Sequence, residues 1–438
     1  MVRLDGRDQL AIARGRLLSI LHRSAVESGV VMRLGGHLDH RDLDADIVIA
    51  ADGAGSATRR ALADELGARV DRGRQLYLWC GTDVALPDAI FVSVHTEFGA
   101  FTTHAYPYAA DRSTFLVETD ETTWRAAGLD VATAEVPADE SDTASITYLE
   151  EIFSRQLEGH RLLGNRTRWT RFRTVHCERW YAGRVVLVGD AAHTAHYSVG
   201  SGTKLAMEDA IALSEVLTAL GPEDHLTEAF GAYQQRRVPE VARLQGLAER
   251  SQLWWESYVR RLELPPEQLA LSFVSRAGNV PLDQFAARTP QIVGPALSSY
   301  AGRDAPATAP VVRWILDQPL RRAGRHFDGR VLDPDTLGAG LASVETDLAD
   351  TWGDDASALV ARCAALMDAG AVGLRLTGPP SRPAVLRRLD LGERLRLDLA
   401  ERDPLVIVDG PPGLLTDLAA GLLSARTDLI TLQEGSAS

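Results

Sequence analysis

Short, unbroken apolar runs recur along this chain, each closed by a small or acidic residue: DIVIAA at 46–51, VVLV at 185–188 and LVIV at 405–408. Runs of that length predict strands buried on both faces of a parallel sheet. Between 75 and 119 the pattern changes. LYLWCGTDV, IFVSVHTEF, AFTTHAYPY and STFLVET are short, β-branched and aromatic, with turn residues between them. They predict an antiparallel sheet. Helical spacing is expected over 146–163, from about 204 to 217, over 205–260 as a whole, and over 356–369, with Pro239 starting or kinking one piece. Leu17, Leu18 and Leu21 are expected to be the buried face of a helix near Arg14. The acidic, Ala/Thr-rich segment 130–143 reads as an exposed loop, and 304–345, with APATAP and a Gly-rich stretch, as a linker. After it a strand–helix pattern restarts in VGLRLTG, PLVIVDG, LLTDLAAGLLSA and DLITL.

Two of the apolar runs lead into glycine-rich turns. Asp52-Gly53-Ala54-Gly55-Ser56 follows the first, with Arg59 beyond. Gly189-Asp190 follows the second, and Gly200, Gly202, Thr203 and Lys204 then open a helix. A carboxylate at a strand end accepts hydrogen bonds from sugar-like hydroxyls. Glycines admit close backbone approach, and the helix N-terminus adds positive potential. Ser56 can cap its helix, and Arg59 can hold the Asp52 carboxylate.

The two strings, DGxxSxxR and GDAAH…GSGTK, resemble the FAD fingerprints of the class A flavin-dependent aromatic monooxygenases, the para-hydroxybenzoate hydroxylase group. Further words, LWCGT, FTTHAYPY, STFLVETDETTWRAAGLD, CERW, HTAHYSVGSGTKLAMEDA and SQLWWE, resemble its salicylyl-CoA 5-hydroxylase and anthraniloyl-CoA monooxygenase branch. The resemblance implies a mixed α/β fold, an FAD-binding α/β domain interleaved with an antiparallel substrate sheet. It implies a monooxygenase over 1–303 (FAD parts about 1–66 and 164–260, substrate sheet about 75–130), a linker 304–345 and a partial old-yellow-enzyme-like, TIM-barrel-type segment over 346–438. That last segment reads as a packing appendage, too short for a barrel of roughly 250 residues.

The implied cofactors are FAD and NAD(P)H. Arg14, Asp52, Gly53, Gly189, Asp190, Gly200, Gly202, Thr203 and Lys204 would hold FAD. The implied chemistry is reduction of FAD by NAD(P)H, addition of O2 at C4a and transfer of oxygen to an electron-rich ring, with no protein nucleophile. Trp79, His104, Tyr106, Tyr197 and Ser198 are the substrate-pocket candidates, and His193 is expected to fix the turn after Gly189-Asp190. The substrate is an aromatic small molecule, CoA-linked if the arginines at 166, 168, 171, 173, 179 and 184 bind phosphates. Those arginines otherwise pair with the acidic segment 130–143.

No strand–GxGxxG–helix unit, which would hold the ADP half of FAD, is found along the chain. A misassigned start, a split gene and a shortened protein all explain this, the first being favoured. The second implies an upstream polypeptide that completes the FAD site. Two alternatives to aryl-CoA hydroxylation therefore stand: hydroxylation of a free aromatic or natural-product scaffold, and a non-catalytic fragment or subunit. In all three cases an exposed sheet edge and apolar surface are expected.

Composition narrows the picture further. The 438 residues are 45% hydrophobic and 24% charged with a net charge of −14, ordinary for a globular protein and adverse to nucleic-acid binding. Three scattered cysteines form no disulfide or metal pattern, which suits a cytoplasmic protein without a metal. No run reaches the roughly 18 apolar residues of a membrane span.

Overall fold

The computed structural model describes residues 12–137, 139–221, 225–305, 310–333 and 340–433. Residues 1–11, read as part of the FAD domain, lie outside these, as do 306–309 and 334–339 of the expected linker and the tail 434–438. The chain is mixed α/β, and it falls into two compact units that meet in sequence at Gln252/Leu253.

The first unit opens with α1 (Arg14–Glu27), β1 (Val48–Ala50), α2 (Ala57–Ala61) and α3 (Ala63–Leu66). The strands β2 (Ala68–Thr82), β3 (Ile90–Thr96), β4 (Gly99–Ala109) and β5 (Arg112–Thr119) follow, then α4 (Glu121–Ala126), α5 (Leu129–Glu135), α6 (Thr143–Ile152) and α7 (Ser154–Leu157). The unit continues through β6 (Leu162–Leu163), β7 (Thr170–Cys177), β8 (Tyr181–Ala182), β9 (Val185–Leu187), α8 (Gly202–Thr218) and α9 (Leu226–Glu256).

The alternating segments form the expected antiparallel sheet, ordered β3-β4-β5-β2-β6 with β7 also on β2. Side chains of period two divide its faces. Leu76, Leu78, Cys80, Phe101, Phe115 and Val117 enter a core closed by Leu149 and Phe153. The two FAD-like strands, β1 and β9, pair in parallel, Val48 with Val185 and Ala50 with Leu187. They belong to a three-stranded sheet in which β1 is an edge.

Several local expectations are corrected. Helix α1 buries no residue, and Leu18 and Leu21 are 68% and 50% exposed. Its apolar stripe has no covering element among the described residues, so periodicity alone did not produce burial. The segment 130–143 is not a solvated loop. It carries most of α5, and the Asp142 carboxylate is buried, accepting from Ser145 N (2.9 Å) and Thr133 Oγ1 (2.6 Å). Capping α6 gives that acid its partners. Pro239 lies inside α9 and does not start a helix.

The second unit contains α10 (Pro266–Ser275), α11 (Leu282–Arg288), α12 (Pro290–Ala301) and α13 (Val311–Leu316), then β10 (Leu320–Arg322), β11 (Arg325–Phe327) and β12 (Val331–Leu332). It ends in β13 (Leu341–Glu345), α14 (Asp354–Asp368), β14 (Gly373–Thr377), α15 (Arg382–Asp398), β15 (Leu405–Gly410), α16 (Leu415–Leu423) and β16 (Leu429–Leu432). Five strands make one parallel sheet, ordered β12-β16-β15-β14-β13. Consecutive parallel neighbours from β13 to β16 are joined by helices, and β12 pairs on the outer side of β16.

The segment 304–345 is not merely a linker. It contributes α13, the β10–β11 hairpin and β12, and Ile315 and Leu316 share one core with Leu271, Ile292, Leu374 and Val408. Pairing of β12 with a strand about 100 positions later leaves no local trace in sequence.

Candidate functional site

Parallel pairing of β1 with β9 brings the two glycine-rich turns side by side. Ser56 accepts from Arg59 N (2.9 Å), capping α2 as expected, and donates to Asp52 Oδ1 (2.5 Å). Thr58 N donates to Asp52 Oδ2 (3.0 Å). Desolvation pushes the Asp52 pKa up, but these bonds more than offset it and hold it below the ordinary value.

Arg59 does not hold Asp52. Its guanidinium is buried and donates to the carbonyl oxygens of Ala191 (2.7 Å), Asp190 (3.3 Å) and Ala54 (2.6 Å). The planar fork matches converging carbonyls that only the tertiary pairing supplies. Arg59 therefore clips the first turn to the second. Arg59→Met is expected to cost about 1–3 kcal/mol from these orphaned acceptors, read as a lower urea midpoint at an unchanged slope. An unchanged midpoint would remove this role.

The second turn rests on a residue the sequence reading did not single out. Asp209, fully buried on α8, accepts from Gly189 N (2.9 Å), from Arg237 Nε (2.8 Å) and from His193 Nε2 (2.7 Å). His193 thus fixes this turn, with its ring against Trp180 at 4.8 Å. Gly189 has φ +58°, and a Cβ there would lie 2.9 Å from the Ala206 Cβ. Close packing of turn on helix therefore demands glycine. The spacing of Asp209 from Gly189 is uninformative in sequence. Its one signal is an acid on the inward face of an amphipathic helix.

Two groups beside these turns lack partners. The Asp190 carboxylate takes no hydrogen bond among the described residues, and desolvation pushes its pKa up against the pull of His193 and Arg14. The Ser201 hydroxyl, at the start of α8, is buried and unsatisfied. Cβ positions built on Gly53 and Gly200 meet open space. A ligand with hydroxyls and ring heteroatoms fits this set. Arg14 and Thr203 are exposed, and Lys204 pairs with Glu208 on the helix surface.

The outer face of the antiparallel sheet carries the aromatic candidates. Register aligns Trp79, Leu116, His104 and Phe91 in one row, with Tyr77, Glu118 and Thr102 in the next. The turn Tyr197–Val199 sets the Tyr197 ring 5.2 Å from Tyr77, 5.5 Å from Trp79 and 5.7 Å from Phe172. The Tyr197 hydroxyl donates to Glu118 Oε1, and the Arg14 guanidinium lies 5.9 Å from the Trp79 ring centroid.

The structure thus brings Trp79, Tyr197 and Arg14 together. His104 packs on Phe91 (4.5 Å) and Tyr106 (5.3 Å), two strands away from Trp79. Ser198 is turned elsewhere, bonded to His196 Nδ1 (2.8 Å) and Ser251 Oγ (2.7 Å). Glu118, also outside the sequence reading, sits in the STFLVET run on the same face as Trp79.

The arginine group is not one phosphate surface. Arg184 donates to the carbonyls of Leu43 (2.7 Å) and His40 (3.4 Å), Arg168 to that of Thr133 (2.9 Å), and Arg171 reaches Gly73 O and Glu121. Nor does Arg168 pair with an acid of 130–143, since it takes a backbone carbonyl. Among the described residues, no group of His, Cys, Asp and Glu could hold a metal, and no helix is long and apolar enough to cross a membrane.

The family described as FAD binding domain matches residues 15–247. A salicyloyl-CoA 5-hydroxylase from a Streptomyces species is 41% identical over 291 residues, 65% of this chain and 55% of that protein. The chain thus spans about half the length of that relative. The 3-hydroxy-4-methyl-anthranilyl-(aryl-carrier protein) 5-monooxygenase of Streptosporangium sibiricum is 40% identical over 62% of this chain and 69% of its own length. The protodeoxyviolaceinate monooxygenase of Chromobacterium violaceum is 30% identical over 62% of this chain and 70% of its own length.

Proposed function

Because the chain belongs to the FAD binding domain family, we propose that it is an FAD-dependent monooxygenase that hydroxylates an aromatic ring carried as a thioester. Bound FAD, with NAD(P)H and O2, supplies the oxygen atom. The observation that carries the reading is the unpartnered Asp190 carboxylate beside two joined glycine turns, with the aromatic face of the sheet next to them through Tyr197 and Arg14. Asp190 would accept from a ribityl hydroxyl, and the backbone at Gly189, Gly200, Gly202 and Thr203 would face the flavin edge. The N-terminus of α8, 17 residues long, adds positive potential there. Asp52 and Gly53 would serve the pyrophosphate side, with Arg14 and Lys204 as nearby cations. Trp79 and Tyr197 would orient the ring and exclude water.

The thioester rests on the two relatives whose names specify CoA and carrier-protein substrates. We place the reaction in the cytoplasm. The test is a visible spectrum after incubation with FAD and desalting. Bands near 375 and 450 nm, approximate flavin values, are expected in the wild type and absent from Asp190→Ala. A folded, colourless wild type would count against the reading. Faster turnover of salicyloyl-CoA or anthraniloyl-CoA than of the free acids is expected, and the reverse would favour a free aromatic substrate.

A second reading is favoured by the β1 edge. Ile49 is 50% exposed there. An open parallel edge recruits another strand. On this reading further polypeptide pairs with β1 and completes the cofactor site, and colour would appear only when that segment is supplied.

A further inference from the structure

We propose that β13 is a docking edge for a second copy of this chain. Two β13 strands pair antiparallel about Ser343 and join the parallel sheets of two second units.

β13 ends its sheet and pairs only with β14. At its two limits Gly340 O accepts from Val372 N (2.7 Å), and Thr346 N donates to Thr377 O (2.9 Å). Along a strand the backbone groups of successive residues point to opposite sides. The even-numbered residues therefore serve β14. Leu341, Ser343 and Glu345 turn their N–H and C=O groups outward, where no strand lies among the described residues. Such a row is a template for another strand. The opposite edge, β12, is two residues long and offers far less.

The row fits itself. A two-fold axis at Ser343 sets it opposite the second copy's Ser343, and sets Leu341 opposite the second copy's Glu345. Residues opposed in this way exchange both backbone bonds, so every outward group finds a partner. A shift of one residue would set outward groups against groups already bonded to β14.

Charge agrees with that register. Glu345 and Asp347 are exposed at the carboxyl end of the strand. Arg325 lies at the amino end, its Nη2 3.5 Å from the place a Cβ would take on Gly340. Leu341, on the same face of the strand as Glu345, joins Leu320 and Phe327 of the β10–β11 hairpin around Leu405 and Ile407. The second copy's Glu345 comes beside Leu341 on that face, within reach of Arg325, and the pair recurs at the other end of the seam. A groove of about 720 Å³ beside the strand, walled by Val344, Leu366 and Pro379, leaves room for the added chain.

Sedimentation of the full chain through a micromolar concentration series is expected to show a monomer–dimer equilibrium. Hydrogen exchange should slow at the Leu341, Ser343 and Glu345 amides as the dimer forms. Ser343→Pro removes both central donors and keeps the bonds to β14, because proline is tolerated where the N–H faces outward. It should weaken association at least about 10-fold, with an unchanged thermal midpoint at dilution. Glu345→Lys alters only an exposed side chain. It should weaken association about 5-fold, the effect of losing exposed ion pairs, and adding Arg325→Glu should restore it.

A chain that stays monomeric, a dimer as tight in Ser343→Pro as in wild type, or a charge swap that restores nothing would each overturn the proposal. So would slowed exchange at 48–50 in place of 341–345, which would assign the dimer to the β1 edge. These readouts need no flavin, so they stand apart from the monooxygenase reading.

Discussion

Asp209→Ala is expected to destabilise the first unit by about 3–5 kcal/mol and to abolish flavin retention. The carboxylate is fully buried and satisfies Arg237, His193 and the Gly189 N–H together. Removing it leaves the buried Arg237 with only Glu208 (3.1 Å) and the Gly189 amide without its acceptor, the costly half of breaking a buried pair. The Gly189–Asp190 turn also loses its anchor to α8, so the cofactor face should go with it. Urea unfolding and the desalting spectrum measure the two effects.

The same residue has a pH signature. Desolvation raises its pKa, yet the bonds from His193, Arg237 and Gly189 N bring it below the ordinary value. A depressed folded pKa stabilises above the unfolded value of about 3.9 and loses that contribution as pH falls through the folded one. Wild type should therefore lose thermal midpoint below about pH 4. Asp209→Asn should start lower at pH 7 and fall less steeply. Parallel curves for the two proteins would show that Asp209 carries no linked proton.

Arg261→Met is expected to cost the second unit about 3–5 kcal/mol. Arg261 and Glu393 are 1% and 3% exposed, joined by Nε–Oε1 (2.9 Å) and Nη2–Oε2 (2.6 Å). Arg261 also donates to Ser257 O (2.8 Å) and stacks over Trp254 and Trp352 at 5.2 and 5.4 Å. Burial pushes the Glu393 pKa up, and Arg261 reverses the shift. Without Arg261 the remaining contacts are weaker, Ser272 Oγ at 3.3 Å and Arg426 at 3.9 Å.

Glu393 should then sit above its unfolded pKa, so the penalty is full at high pH and eases as pH falls. The variant should be more stable at pH 5 than at pH 7.5, opposite to a carboxylate-paired wild type. Adding Glu393→Leu should restore most of the loss, since apolar replacement of a buried pair is often neutral. Hydrogen exchange within 253–433 reads this unit by itself. Failure of the double substitution to recover would mean that Arg261 acts through its stacking instead.

The sequence by itself determined the local elements whose period is strong. The runs at 185–187 and 405–410 are strands and the alternation from 76 to 119 is an antiparallel sheet, because burial on two faces or on one leaves a direct mark on residue choice; the run at 48–50 is a strand too, although its edge position leaves Ile49 50% exposed. It also marked the two glycine turns and the Ser56 cap, whose chemistry lies within a few residues. Tertiary structure alone decided which groups those turns engage. Arg59 left Asp52 for carbonyls more than 130 residues away, because parallel strand pairing put them within reach. Asp209 and Glu118 became central through helix packing and sheet register, which bring together positions without regular spacing. The stripe of α1 and strand β12 show both limits: periodicity states what a segment can bury, while burial and pairing depend on what the rest of the chain brings against it.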